Sequence, residues 1–328
     1  MVNNTIKTIV VFAAVAIMTL GAAAAQTWQS GDCTVTLENG VMTVSGTGAM
    51  ADYHWGNTSP TVPWWDSHEQ VSSIVVEEGV TKVGSYSFNS FSEATIVTLP
   101  NSLTTIGNFA FTHCSRLTSV TMPNSLTTME EHAFAYCDGL TSITLPNSLM
   151  SLELAVFAYC IGLTTITLPN TLATIGNGSF LGCTGLTTIT IPGTLTSIDV
   201  AAFYECTSMT DVYILADPAN LTWINELFNG TVFDDFKADG STQCHVPAKW
   251  ISAYQQNFSH INVTFVGDLA STYILSDIPA GWTVTADGQP VEVNANGEAV
   301  IEEGASVVVT PSDRDNPRVK SVSIVPNN

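Results

Sequence analysis

Asp52, His54, Asp66 and His68 crowd into one short stretch and carry the oxygen and nitrogen donors that a divalent metal needs. Their spacing matches no ligand motif, and a loop around Trp55, Trp64 and Trp65 accounts for them without an ion. Cys244 and His245 are a nucleophile and a base by type. Adjacency in the chain does not, however, bring a thiol against an imidazole. His113 and His132 fall at non-equivalent positions of neighbouring repeat copies and read as surface residues. An enzyme needs polar groups with unlike roles converging on one point, and the sequence has neither a phosphate loop nor a nucleophile elbow. The expectation is a non-catalytic protein with no cofactor and no metal.

The chemistry that remains is hydroxyl chemistry. Four successive repeat copies expose Thr118, Ser119 and Thr121; Thr141, Ser142 and Thr144; Thr164, Thr165 and Thr167; and Thr187, Thr188 and Thr190. Such rows offer many weak donors and acceptors without charge, which suits binding rather than reaction. Threonine is equally a good strand former that satisfies itself along a ladder. The following copy breaks the rows with Thr210, Asp211 and Tyr213, and the acid and the ring at the edge of a uniform surface are candidates for specificity.

These residues are positioned by an internal repeat. Phe88, Phe111, Phe134, Phe157, Phe180 and Phe203 recur every 23 residues, and Cys114, Cys137, Cys160, Cys183 and Cys206 keep the same step, as do Pro100, Pro123, Pro146, Pro169 and Pro192. A unit this short cannot bury its own apolar face, so copies must stack as a solenoid. Within one unit Leu117, Val120 and Met122 alternate as a short strand with one buried face, which Pro123 ends because it has no N–H to give. Leu126, Met129, Ala133, Phe134 and Cys137 are spaced three or four apart, as in a short helical turn. The expected fold is an α/β solenoid, a curved stack of 23-residue coils with one parallel sheet and short helical or irregular segments behind it. Stacked coils bring equivalent cysteines to about 4.8 Å, but parallel side chains do not converge for a disulfide. The five repeat cysteines therefore read as a column of buried free thiols.

The ends are different in texture. Lys7, the apolar run from Ile9 to Leu20 and the small residues to Ala25 read as an export signal over residues 1–25. Residues 26–73 are expected to form a β cap with Tyr53, Trp55, Trp64 and Trp65 covering the first coil, residues 74–215 the repeats, and residues 216–269 a second cap. In that second cap, Pro247 to Phe258 reads as a helix and Ile261 to Val266 as a strand. Residues 270–328 read as a small β-sandwich-like module with Trp282, Val284, Val291, Val293, Val307 and Val309 as its thin core. Eight basic residues against 29 acidic ones give a net charge of −21. No Lys or Arg occurs from Leu117 to Phe236, so nucleic acids and anionic membranes are poor partners.

The pattern L-T-x-I-T-L-P-N-S-L-T-x-I-G-x-x-A-F-x-x-C resembles the BspA-type leucine-rich repeats found in many bacterial surface proteins. The resemblance covers about Ser45 to Gly267, and Gly46-Thr47-Gly48-Ala49-Met50 with Pro63-Trp64 is similar to the leader ahead of such repeats. Glu130, Glu153 and Asp199 depart from the glycine seen at Gly107 and Gly176. The tail is similar to small modules appended to secreted proteins of gut Bacteroidetes. The resemblance implies a curved solenoid, location outside the cell or on its surface, adhesion to a protein or glycan of a host or neighbouring cell, and no catalytic residues. The alternative is a glycan-binding or enzyme-accessory module using exposed aromatics such as Tyr136, Tyr159 and Tyr213.

Overall fold

The computed structural model describes residues 25–57, 61–223, 241–257 and 263–269 and short strands between 272 and 326. Residues 1–24 of the segment expected to be an export signal lie outside the described residues. The repeats form a solenoid, as the 23-residue beat requires, and each coil has three sides.

The first side is a parallel sheet. Its ladders run from Ser73–Val76 through Ile96–Thr98 to Ser119–Val120, pair Ser142–Thr144 with Thr165–Thr167, and run from Thr188–Ile191 through Asp211–Ile214 and Gln243–Pro247 to Thr264–Leu269. Alternation explains the strands: Ile143, Ile166 and Ile189 point inward and are buried, while the flanking hydroxyl residues point out. The pairing is in register at the repeat step, Ile143 opposite Ile166 and Ile189 opposite Val212.

At the corner, the carbonyls of Pro100, Pro123, Pro146, Pro169 and Pro192 accept the amide of the leucine three residues on, at 3.0–3.2 Å. The chain thereby turns into a second parallel sheet of two-residue strands such as Thr105–Ile106, Thr128–Met129, Ser151–Leu152, Thr174–Ile175 and Ser197–Ile198. Leu126 and Met129 thus belong to a turn and a strand, not to the helical segment that their spacing suggests. Spacing by three also fits one corner followed by one strand residue, and the three-residue offset cannot tell the two apart.

The third side consists of consecutive turns. Twelve positions there have φ between 53° and 68°: Tyr86, Ser90, Phe109, His113, His132, Tyr136, Ala155, Tyr159, Gly178, Gly182, Ala201 and Glu205. The left-handed residues let alternate amides point in different directions. Phe109, Phe111 and His113 donate to the carbonyls of Glu131, Ala133 and Ala135 in the next coil, whereas Ala110 and Thr112 donate within their own coil to Gly107 and Phe109. A helix would send its amides along its own axis and leave the coils unstitched.

Between the three sides the phenylalanines stack. Successive ring centroids from Phe88 to Phe203 lie 5.2–5.9 Å apart with interplanar angles of 4–15°. All of these rings are essentially inaccessible. Beside them each thiol donates to the carbonyl of the phenylalanine one coil back: Cys114 to Phe88, Cys137 to Phe111, Cys160 to Phe134, Cys183 to Phe157 and Cys206 to Phe180, at 3.1–3.3 Å. All seven cysteines are free and buried. Burial pushes the Cys114 and Cys206 thiols up to about 12, and burial with the neighbouring Cys160 raises Cys137.

Both ends of the described stack are covered. Gln26–Ser30, Cys33–Glu38 and Val41–Gly46 form an antiparallel meander whose last strand pairs parallel with Ser73–Val76. Trp64 is fully buried against Phe88, donates Nε1–H to the Ser87 carbonyl at 2.9 Å, and meets Tyr53 edge-on. Trp55 does not join this cover as expected; it is 49% exposed. At the other end the helix Ile251–Asn257 places a buried Tyr254 whose hydroxyl donates to the Ala216 carbonyl at 2.6 Å. Pro247 ends the strand Gln243–Pro247 rather than opening the helix, which follows a 3-10 turn at Ala248–Trp250. Of the expected strand Ile261 to Val266, residues 261 and 262 lie outside the described residues, and Thr264–Leu269 is a strand.

The tail contains two three-stranded antiparallel sheets. Thr272–Ser276 lies between Ala299–Glu302 and Ser323–Pro326, and Thr283–Ala286 between Gln289–Val291 and Val307–Thr310.

Two outcomes follow from the core. Phe134→Ala removes a ring held between Phe111 and Phe157 and should cost about 3–5 kcal/mol in chemical denaturation; a loss below about 1 kcal/mol would mean that the column does not hold the stack. A thiol reagent at pH 8 should leave all seven cysteines of the native protein unmodified and label all seven after unfolding without reductant. Labelling of fewer would reveal a disulfide.

Candidate interaction surface

The outward face of the first sheet reads as two parallel rows. One holds Ser73, Ile96 and Ser119, then Ser142 and Thr165, then Thr188, Asp211, Gln243 and Thr264. The other holds Val75 and Thr98, then Thr144 and Thr167, then Thr190, Tyr213, His245 and Val266. Thr118, Ser119, Thr121, Thr141, Ser142, Thr144, Thr164, Thr165, Thr167 and Thr187 are exposed, and Thr188, Thr190, Asp211 and Tyr213 are partly buried.

The hydroxyls divide by use. Thr118, Thr164, Thr187 and Thr210 donate to the carbonyls of Thr95, Thr141, Thr164 and Thr187 one coil back, at 3.0–3.4 Å. Ser102, Ser125, Thr171 and Thr194 do the same at the proline corner, to Val80, Leu103, Leu149 and Leu172. These side chains are stitches between coils. Thr144, Thr167 and Thr190 make no such bond among the described residues, and their hydroxyls are left to solvent or to a ligand.

The rows continue into the cap. Asp211 lies opposite Thr188 and Tyr213 opposite Thr190, so both candidate specificity residues extend the hydroxyl surface. On their far side the strand Gln243–Pro247 adds His245, which sequence reasoning did not select. Its ring stacks on Tyr213 with centroids 4.6 Å apart and planes 15° from parallel. His245 Nε2 lies 3.0 Å from Asp211 Oδ1. Val212 pairs with Cys244 and Tyr213 with His245, so His245 shares the face of Tyr213, a register that the longer coil before Gln243 keeps out of the sequence. Strand alternation separates Cys244 from His245, the thiol into the core and the imidazole onto the opposite face of the sheet beside Tyr213, where it is nonetheless buried.

Of the other titratable candidates, Asp52, His54 and His68 have structural partners, and Asp66 is exposed. Asp52 accepts the amide and hydroxyl of Ser85 at 2.8 and 2.9 Å and the Lys82 ammonium at 3.0 Å. Burial works against its charge, but these donors hold the carboxyl below its usual range. His54 lies beside Thr61, and His68 stacks on Trp65 with Nδ1 2.7 Å from its carbonyl. Among the described residues no group of three or more His, Cys, Asp or Glu is placed to hold a metal. His132, expected at the surface, is partly buried on Phe109, with ring centroids 4.5 Å apart, and burial lowers its pKa. His113 is exposed and stacks on Tyr136, which stacks in turn on Tyr159, at 4.3 and 4.8 Å. These rings spend their faces on one another, and Tyr159 also lies across Gly182, where an added Cβ would come within 2.4 Å of the ring.

A family model described as the BspA type leucine rich repeat region matches six copies over residues 65–160 and 152–263. Among solved structures, a Treponema pallidum leucine-rich repeat protein is 22% identical, with 60% of this chain and 81% of that chain covered and a TM-score of 0.44. A leucine-rich cell surface protein from Faecalibacterium prausnitzii is 21% identical, covers 70% and 72%, and has a TM-score of 0.49. A leucine-rich repeat protein from Bacteroides ovatus is 17% identical, covers 70% of both chains, and has a TM-score of 0.47. A search of curated proteins returned no match. The repeat beat, the stacked coils and a family model spanning more than half of the sequence agree: the chain belongs to the BspA-type leucine-rich repeat family.

Proposed function

We propose that this protein is an exported, non-catalytic interaction scaffold that uses the hydroxyl face of its first sheet to bind a protein or glycan of a host or neighbouring cell. The observation that carries this is the division of hydroxyls on that face. Thr118, Thr164, Thr187 and Thr210 are used in stitching coils, whereas Thr144, Thr167 and Thr190 repeat at the strand spacing and make no such bond among the described residues. Extended, regularly spaced surfaces are what solenoids offer partners. Family membership supports a scaffold role, and the apolar stretch before Ala25 supports export. We read residues 26–73 and 216–269 as caps of one solenoid domain and 270–328 as a separate module.

Replacing Thr144, Thr167 and Thr190 together by Lys should abolish retention of any partner captured from host matrix or mucus. The triple Val variant keeps shape and strand propensity and should weaken retention at least tenfold with an unchanged melting temperature. Undiminished capture by both variants would remove this face from consideration, and no capture at micromolar wild-type protein would argue against an adhesive scaffold.

A further inference from the structure

The hydroxyl rows do not simply fade at the second cap. They end at an upright aromatic wall. Tyr213 and His245 occupy the same row in adjacent strands, so their rings stand on the sheet with planes across the direction of stacking. One face of the phenol is covered by the imidazole. The other is turned toward the coil of Thr190, whose side chain is too small to cover a phenol ring. In front of that face lies a floor of Thr167, Thr188 and Thr190, and at its foot stands the Asp211 carboxylate, 32% exposed.

This arrangement differs from the aromatic rows on the turn side. There, ring lies on ring from His113 to Tyr159, and a ligand arriving from outside meets edges. Among the described residues Tyr213 meets no ring other than His245 and so keeps one face available. A flat apolar face beside acceptors and hydroxyl donors matches a pyranose, which has an apolar C–H face and a rim of hydroxyls. Charge narrows the class. With a net charge of −21, no Lys or Arg from Leu117 to Phe236 and Asp211 at the site, an acidic sugar would be repelled. His245 does not touch the ligand in this geometry. It is a positioning residue: its contact with Asp211 fixes the imidazole, and the imidazole holds the phenol upright.

We propose that the Tyr213 face, with Asp211, Thr188 and Thr190, is a subsite for one neutral hexopyranose unit of a longer glycan lying along the threonine rows. The inference rests on the reading of this face as the binding surface, and adds its ligand class.

The full chain should be titrated calorimetrically with cellohexaose, mannohexaose, laminarihexaose, chitohexaose and polygalacturonate. Binding is expected for at least one neutral hexaose and none for polygalacturonate. For that hexaose Tyr213→Ala should weaken binding about tenfold or more, Tyr213→Phe should leave it within about threefold because the face remains, and Asp211→Asn should weaken it. His245→Ala should weaken binding and His245→Phe, which restores a stacking ring, should recover it; a merely structural histidine would not show that rescue. Equal unfolding midpoints for the variants make the comparison valid. Binding of no neutral hexaose at millimolar concentration, or wild-type affinity in Tyr213→Ala, overturns the subsite. If capture of a protein partner is still lost in the triple Val variant, the sheet-face reading stands while the sugar subsite falls; if capture and sugar binding both persist in it, the face itself is wrong.

Discussion

No coil of this protein can satisfy itself, and that constraint governs everything else. Its strand amides, its alternate turn amides, its corner hydroxyls, its thiol and its phenylalanine ring all find their partners one coil away. The repeat step is therefore held by several unrelated bonds at once, so a coil with an insertion must either loop it out or leave the register. Asp211 and Gln243 pair in parallel although the coil between them is longer than the 23-residue repeat, so the ladder keeps its register there. The stack also sets backbone conformation. Tyr86, Phe109, His132, Tyr136 and Tyr159 occupy left-handed positions at φ of 55–59°, a conformation that costs roughly 1–2 kcal/mol for a residue with a Cβ. Each gains from ring stacking across coils, worth about 0.5–1.5 kcal/mol per pair, together with the inter-coil hydrogen bond that only this geometry permits.

The solenoid was legible because phenylalanine, cysteine and proline mark one period independently, and burial of the first two follows from their position in it. The free-thiol column was legible for the same reason: parallel side chains at strand spacing do not meet. What the sequence concealed was the shape of the second half of the coil. Apolar residues at Leu126, Met129 and Ala133 fit a helix, but the chain instead takes a corner, a two-residue strand and a run of turns. The deciding factor was backbone satisfaction between coils, which leaves no mark in apolar spacing. Left-handed positions are usually announced by glycine, and only Gly178 and Gly182 do so here.

For the surface, the rows of hydroxyls could be assigned to one face from alternation alone, and Asp211 and Tyr213 could be placed at their end. His245 could not, because the coil that carries it is longer than the repeat and its register is set by the fold. The sequence also could not separate Thr164, which stitches coils, from Thr167, which does not. Both are exposed threonines of one strand region. The difference lies in which hydroxyl can reach a carbonyl one coil back, and that depends on position along the strand rather than on residue type.

The thiol column has a consequence for the life of the chain once it is made. Inside the stack the sulfurs are dry, protonated and engaged with carbonyls, so an oxidising medium has nothing to attack. A chain that loses the stack in such a medium exposes all of them together, and seven is an odd number. Internal pairing then leaves at least one sulfur over for a neighbouring molecule, and any pair among the five repeat cysteines joins residues whose side chains must run parallel, unjoined, in the native coils. Folding in that medium thus becomes directional: the ordered form persists because it hides its thiols, and an unfolded chain that oxidises is cross-linked away from any route back.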